Sequence, residues 1–124
     1  MEAGFLHKII LRSRGDKTMF KTAFIFPGQG SQCVGMGKDF YENFGIAKQT
    51  FEEANDKLGY DIAKICFEGP EEDLMLTENT QPAILTTSIA ILKVLQNEGF
   101  TCDYTAGLSL GEYSALINAG TLEF

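Results

Sequence analysis

Tryptophan is absent from these 124 residues, histidine occurs once, at His7, and no arginine follows Arg14. A lone histidine removes every metal site built on paired imidazoles, and Cys33, Cys66 and Cys102 are too far apart to form a CxxC hook. Odd in number and widely spaced, these cysteines read as reduced thiols of a cytoplasmic protein rather than as a disulfide framework. No apolar run approaches the length needed to cross a bilayer. The stretch MEAGFLHKIILRSRGDKT is no secretory leader, because His7 and Lys8 interrupt its apolar part and no small-residue cleavage site follows. Positive charge is scarce as well. The formal charge is −7, and since residues 1–18 are net +2, the remainder carries −9. An acidic body whose lysines are scattered singly excludes a nucleic-acid groove and disfavours an anionic membrane surface.

What is present is enough apolar sequence, 44% of residues, for one domain with its own core. Residues 1–18 have no clear place in it and are expected to be a dispensable extension, with Met19 standing just before the first convincing strand. Thr22–Phe26 is a short run of β-formers stopped by Pro27 and Gly28, and predicts a buried strand. After the loop PGQGSQCVGMG, apolar residues at Phe44, Ala47, Phe51, Ala54 and Leu58 predict a helix from about Tyr41 to Leu58, closed by Gly59. Residues 61–67 predict a helical turn, and EGPEEDL the start of another helix, with Pro70 near its first position. Pro82 is expected to open a helix apolar nearly all round, ended by Gly99 and therefore buried on most sides. Tyr104–Gly107 predicts a strand, and GEYSALINAG a helix closed by Gly120. Strand, helices, strand, tight turn and helix in that order imply an α/β fold built on a parallel sheet.

Three stretches could carry chemistry. Gly107-Leu108-Ser109-Leu110-Gly111 fits the G-x-S-x-G elbow, in which a strand reverses into a helix so sharply that only glycine fits on either side of the serine. Ser109 is then an exposed nucleophile, with the Leu110 N–H offered to a developing oxyanion, or else a serine in a structural turn. Glu112 favours the first turn of the helix electrostatically. PGQGSQ is too short of glycine for a dinucleotide loop, which needs one at Cys33, and fails as a Walker loop at Gln32 and Asp39. It leaves Gln29 between two glycines, either approaching a substrate closely or exposed in a plain turn. In TENTQPAIL, Thr80 and Gln81 precede the apolar helix, where capping accounts for them, although Gln81 could also point into a cleft.

FIFPGQGSQ, TQPAILTTSIAIL and GLSLGEYSAL, taken together and in this order, resemble the malonyl-CoA:acyl-carrier-protein transacylases of fatty-acid synthesis and the related acyltransferase domains of polyketide synthases. The resemblance covers residues 19–124. It implies a ping-pong reaction in which the serine takes malonyl from coenzyme A as an ester and passes it to the phosphopantetheine thiol of acyl carrier protein, with no metal or resident cofactor. By this resemblance Ser109 matches the nucleophile, and Gln29 with the Leu110 N–H matches the oxyanion hole. Gln32 and Gln81 match family positions to which no chemistry is assigned.

Two departures matter. The family usually has histidine where Leu108 stands, a histidine that is not the general base. The base histidine and the arginine that holds the malonyl carboxylate lie beyond the elbow in the family, as does a ferredoxin-like subdomain inserted into the larger α/β-hydrolase-like core. The expectation is therefore the N-terminal part of an acyltransferase domain, incomplete and inactive alone, with an uncovered sheet edge prone to aggregation. A serine hydrolase of the α/β-hydrolase kind and a non-catalytic fragment that binds acyl carrier protein are the competing expectations.

Overall fold

In the computed structural model the described residues are 20–124 together with the strand at 8–9. The expected extension, residues 1–18, lies outside them except for that strand. Three strands form one sheet in chain order: β1 (Lys8–Ile9), β2 (Ala23–Phe26) and β3 (Tyr104–Gly107). β1 runs antiparallel to β2, with Lys8 opposite Phe24. β2 and β3 are parallel, with Ala23 opposite Tyr104 and Phe26 opposite Gly107. The expected parallel sheet is present as this small unit. Five helices fill the crossover between β2 and β3, and a sixth follows β3. They are α1 (Lys38–Asn43), α2 (Gly45–Leu58), α3 (Ile62–Glu68), α4 (Glu71–Met75), α5 (Thr77–Asn97) and α6 (Gly111–Asn118).

Alternation along the strands decides which face is covered. Phe24 and Phe26 are buried, whereas Ile25 between them is 40% exposed, so the expected buried strand is covered on one face among the described residues. Phe24 and Phe26 pack with Ile89 and Leu92 of α5 and Ala115 of α6. On its other side α5 sets Ile84, Ala90, Ile91 and Val94 against Phe51 of α2 and Ile62 of α3. A helix apolar nearly all round is thus explained, since α5 lies between the sheet and an outer layer of helices. The Phe51 ring sits at the outer layer's centre, 5.9 Å from the Tyr41 ring and 4.9 Å from that of Phe67.

Two helix boundaries differ from expectation. The predicted helix over 41–58 starts earlier, at Lys38, and is interrupted at Phe44, whose φ of −129° is extended. Asn43 turns its side-chain amide back onto the Asp39 carbonyl, and Gly45 follows, so two weak helix formers flank the break. Pro82 does not open the apolar helix, which begins five residues earlier at Thr77. The polar TENT run is drawn into it: the Thr80 hydroxyl donates to the Leu74 carbonyl and the Asn79 amide to that of Asp73, tying the helix start to the end of α4. Thr80 is therefore a buried anchor in the first turn and not a cap. Pro82 deprives the Glu78 carbonyl of its helical donor, and the Tyr60 hydroxyl donates to it instead at 3.4 Å.

Cys66 is fully buried in the helical layer, and burial pushes its thiol from an ordinary 9.0 up to about 12. Cys33 is exposed. The folded chain should therefore lose Cys33 to iodoacetamide at pH 8 while Cys66 stays unmodified until denaturant is added, as peptide mass spectrometry will read. Because the folded thiol stays protonated where the unfolded one ionises, Cys66 also withdraws stability as pH rises from about 9 towards 12. A native chain in which both cysteines alkylate at the same rate would contradict this packing.

Candidate active site

Parallel pairing places Phe26 beside Gly107 at the carboxyl ends of β2 and β3. The loops that leave these strands, PGQGSQ and LSLG, therefore begin side by side, which is where open α/β sheets form their sites. They are joined by backbone contacts that admit no side chain. The Leu108 N–H donates to the Phe26 carbonyl at 3.2 Å. A Cβ on Gly111 would overlap that same carbonyl, and one on Gly107 would overlap the Gly111 carbonyl. A Cβ on Gly28 would come within 2.5 Å of the Leu108 carbonyl and 3.8 Å of the Ser109 Cβ.

Between these contacts stands Ser109, with φ of 52°, the one non-glycine residue in the left-handed region among the described residues. Such a conformation costs roughly 1–2 kcal/mol for an L-residue and persists only where its surroundings impose it. Here the strand ends at Gly107 and α6 begins at Gly111, so three residues must reverse the chain. Ser109 is exposed. Behind it the helix N–H groups bond back: Gly111 to Leu108, Glu112 to Ser109 and Tyr113 to Leu110, at 2.9, 3.0 and 3.1 Å. That leaves the Leu110 N–H without an acceptor among the described residues, and the Gln29 N–H likewise. The structure thus brings Ser109, Leu110 and Gln29, the three residues singled out in the sequence, to adjoining turns. Glu112 is exposed in the first turn of α6.

The glycine loop is fixed by its own polar side chains. The Ser31 hydroxyl donates to the Gly28 carbonyl at 2.6 Å, and Gln32 accepts the Gly30 N–H at 2.8 Å while its amide nitrogen lies 3.1 Å from the Met75 sulfur. Gln29 reaches out of the loop to Thr77 and Gln81 on α5. Sequence reasoning missed Ser31, Met75 and Thr77. The recurrence of hydroxyl and amide residues in both PGQGSQ and TENTQ was the available signal, but nothing local shows that the two segments meet. No side chain from Pro27 to Gln32 or from Leu108 to Gly111 carries a formal charge.

Gly111→Ala should destabilise the chain at or beyond the upper end of the roughly 1–3 kcal/mol typical of overpacked positions, because backbone cannot step aside as a side-chain tip can. Gly45→Ala, where an added Cβ meets nothing within 4 Å, serves as the tolerated control in urea unfolding. Ser109→Gly should be more stable than Ser109→Ala by about 1 kcal/mol, since only glycine relieves the positive φ. Equal midpoints for those two variants would refute the strained elbow.

Residues 23–124 match the family described as acyl transferase domain. The chain is 56% identical over 106 residues to the malonyl CoA-acyl carrier protein transacylase of Bacillus subtilis strain 168, covering 86% of this chain and 33% of that protein. It is 49% identical over 107 residues to the Escherichia coli K12 protein of the same name, covering 86% of this chain and 35% of that one. The crystal structure of the Clostridium perfringens transacylase of that name superposes with a TM-score of 0.78 at 50% identity, over 82% of this chain and 32% of the other. A malonyl-transacylase solved with a type II PKS acyl-carrier protein superposes with a TM-score of 0.76 at 52% identity, over 79% of this chain and 32% of that one. The chain spans about a third of the length of the curated relatives it matches. With the family matched along nearly all of the described residues, this chain belongs to the acyl transferase domain family.

Proposed function

We propose that this chain supplies the nucleophile and the oxyanion hole of a transferase that moves malonyl from coenzyme A to the phosphopantetheine thiol of acyl carrier protein, in fatty-acid synthesis. The observation that carries the reading is the exposed Ser109 at φ 52°, beside two backbone N–H groups, of Gln29 and Leu110, that have no acceptor among the described residues. In the first half-reaction the Ser109 Oγ attacks the thioester carbonyl carbon, its proton passes to a base, and the carbonyl oxygen takes up negative charge. The Gln29 and Leu110 N–H groups stabilise that charge, a contribution of roughly 3–4 kcal/mol per donor at comparable sites. Collapse breaks the carbon–sulfur bond, the base passes the proton to the departing sulfur, and coenzyme A leaves as its thiol with a malonyl ester remaining on Ser109. In the second half-reaction the base takes the proton of the carrier-protein thiol as its sulfur attacks the ester carbonyl, the same two donors act again, and the base returns that proton to the Ser109 oxygen as the ester bond breaks.

Residues 20–124 contain neither histidine nor arginine. In this reading the base and the cation that pairs with the malonyl carboxylate come from outside the described residues. The sheet and its helices belong to the α/β-hydrolase-like core of the family rather than to its ferredoxin-like subdomain. The partner is supported by the relatives' names and by the structure of one neighbour with a carrier protein. Three free thiols and the absence of a helix long and apolar enough to cross a membrane, among the described residues, are compatible with a cytoplasmic enzyme.

The test joins this chain in frame to the downstream two thirds of the Bacillus subtilis relative and incubates the chimera with malonyl-CoA. Intact mass spectrometry should find one malonyl group, mapped to Ser109, discharged by holo acyl carrier protein and missing from Ser109→Ala. An adduct that survives in Ser109→Ala, or discharge to water as fast as to carrier protein, would overturn the proposal, the second outcome in favour of a serine hydrolase.

A further inference from the structure

Gln29 lies between Gly28 and Gly30, the latter at φ 104°, so the backbone flanking its N–H has little steric preference of its own. The Ser31 hydroxyl holds the Gly28 carbonyl, which shares a planar peptide unit with the Gln29 N–H, and Gln32 holds the Gly30 N–H on the other side, so both peptide units of Gln29 are tied from within the loop. The Gln29 side chain is held from outside it. Its amide nitrogen donates to the Thr77 hydroxyl at 3.4 Å, and its amide oxygen accepts from the Gln81 amide at 3.5 Å. Both bonds are long, as site hydrogen bonds commonly are before a substrate tightens them.

The platform that makes them is well defined. Thr77 and Gln81 stand four residues apart at the start of α5, so they share one face of the helix. A single primary amide spans that spacing, using its donor and acceptor together, which fixes the rotation of the Gln29 side chain as well as its place. Two residues on from Gln81 the helix enters the core, with Ala83 and Ile84 fully buried, so the platform is anchored on a buried helix.

We infer that Gln81, together with Thr77, is a positioning residue that docks the Gln29 side chain on α5 and, with Ser31 holding the Gly28–Gln29 peptide plane, keeps the Gln29 N–H aimed at the oxyanion formed on Ser109. The inference rests on the acyl-transfer reading above. It assigns Gln81 no contact with the reacting atoms: it acts on them through Gln29.

Single-turnover acylation of the same chimera tests it, followed over a range of malonyl-CoA concentrations. Gln81→Met keeps length and helix propensity but removes the amide. It should lower the limiting acylation rate by about tenfold or more, with half-saturation within about twofold of the parent, because the oxyanion exists in the transition state and not in the bound thioester. Gln81→Glu, which keeps an acceptor for a turned-over Gln29 amide, should recover most of that rate. Gln29→Ala retains its backbone N–H yet should slow acylation comparably, and adding Gln81→Met to it should cost nothing further. A parent-like rate for Gln81→Met, or losses that multiply in the double variant, would overturn the inference. Failure of the unmutated chimera to acylate Ser109 would instead overturn the acyl-transfer reading, and this inference with it.

Discussion

The contact on which this structure turns is between backbone and backbone: α6 begins so close to the end of β2 that Gly111 leaves no room for a methyl group against the Phe26 carbonyl. Close approach brings the Leu108 N–H onto that carbonyl and continues the β2–β3 ladder one step past the strand. With Gly107 and Gly111 pinned, Leu108, Ser109 and Leu110 must make the reversal, and the middle residue takes the positive φ. Gly28 closes the same junction from the other loop, against the Leu108 carbonyl. Site geometry is thus a consequence of how two strand ends are packed, and three glycines are the sequence condition for it.

Support for the junction comes from α5. It is buried on the sheet side by Phe24 and Phe26 and on the helix side by Phe51 and Ile62, and its first turns carry the polar groups that meet the glycine loop. Before Ala83 the side chains of α5 satisfy α4 and the loop, and from Ala83 onward most of them pack into the two cores, the small polar residues Thr86, Thr87 and Ser88 buried among them. Pro82 marks the change, and its cost to the helix is offset at the Glu78 carbonyl by Tyr60. The strained serine rests on this arrangement, since a conformation worth a kilocalorie or two against itself needs a surrounding that does not yield.

The parts legible in the sequence were those that depend on near neighbours. G-x-S-x-G declares the elbow because its residues are contiguous and Gly107 is crowded by Gly111 within the motif, whereas the Phe26 carbonyl that demands glycine at 111 lies on another strand and leaves no local trace; the apolar periodicity of α2 and α5 declares their burial. The helix starts were not legible. TENT reads as a polar loop before Pro82, and only its bonds to Leu74 and Asp73 convert it into the first turn of α5. Similarly, Phe44 continues the apolar stripe of its helix by spacing, yet it sits at the break, 37% exposed and stacked on Phe40. Gln29, Thr77 and Gln81 are separated by 48 and 52 residues, so no pattern along the chain could join them. The strand at 8–9 was missed for a related reason: two residues paired to β2 leave too short a run to show alternation.

The electrostatic character of the site follows from the same residues. Neither loop carries a charged side chain, while the chain as a whole is strongly acidic. Glu112, exposed in the first turn of α6, is the acidic side chain nearest Ser109 in sequence, and the two loops themselves supply neutral amides and backbone N–H groups that have no acceptor among the described residues. Dipoles of this kind are fixed by the fold and do not titrate near neutrality, so in the proposed reaction they would stabilise an oxyanion equally across the physiological pH range. In the proposed acyl transfer, pH dependence would therefore originate in titrating groups outside these two loops, the base that takes the Ser109 proton and the attacking thiol among them, while the elbow and glycine loop would set where charge forms without setting when.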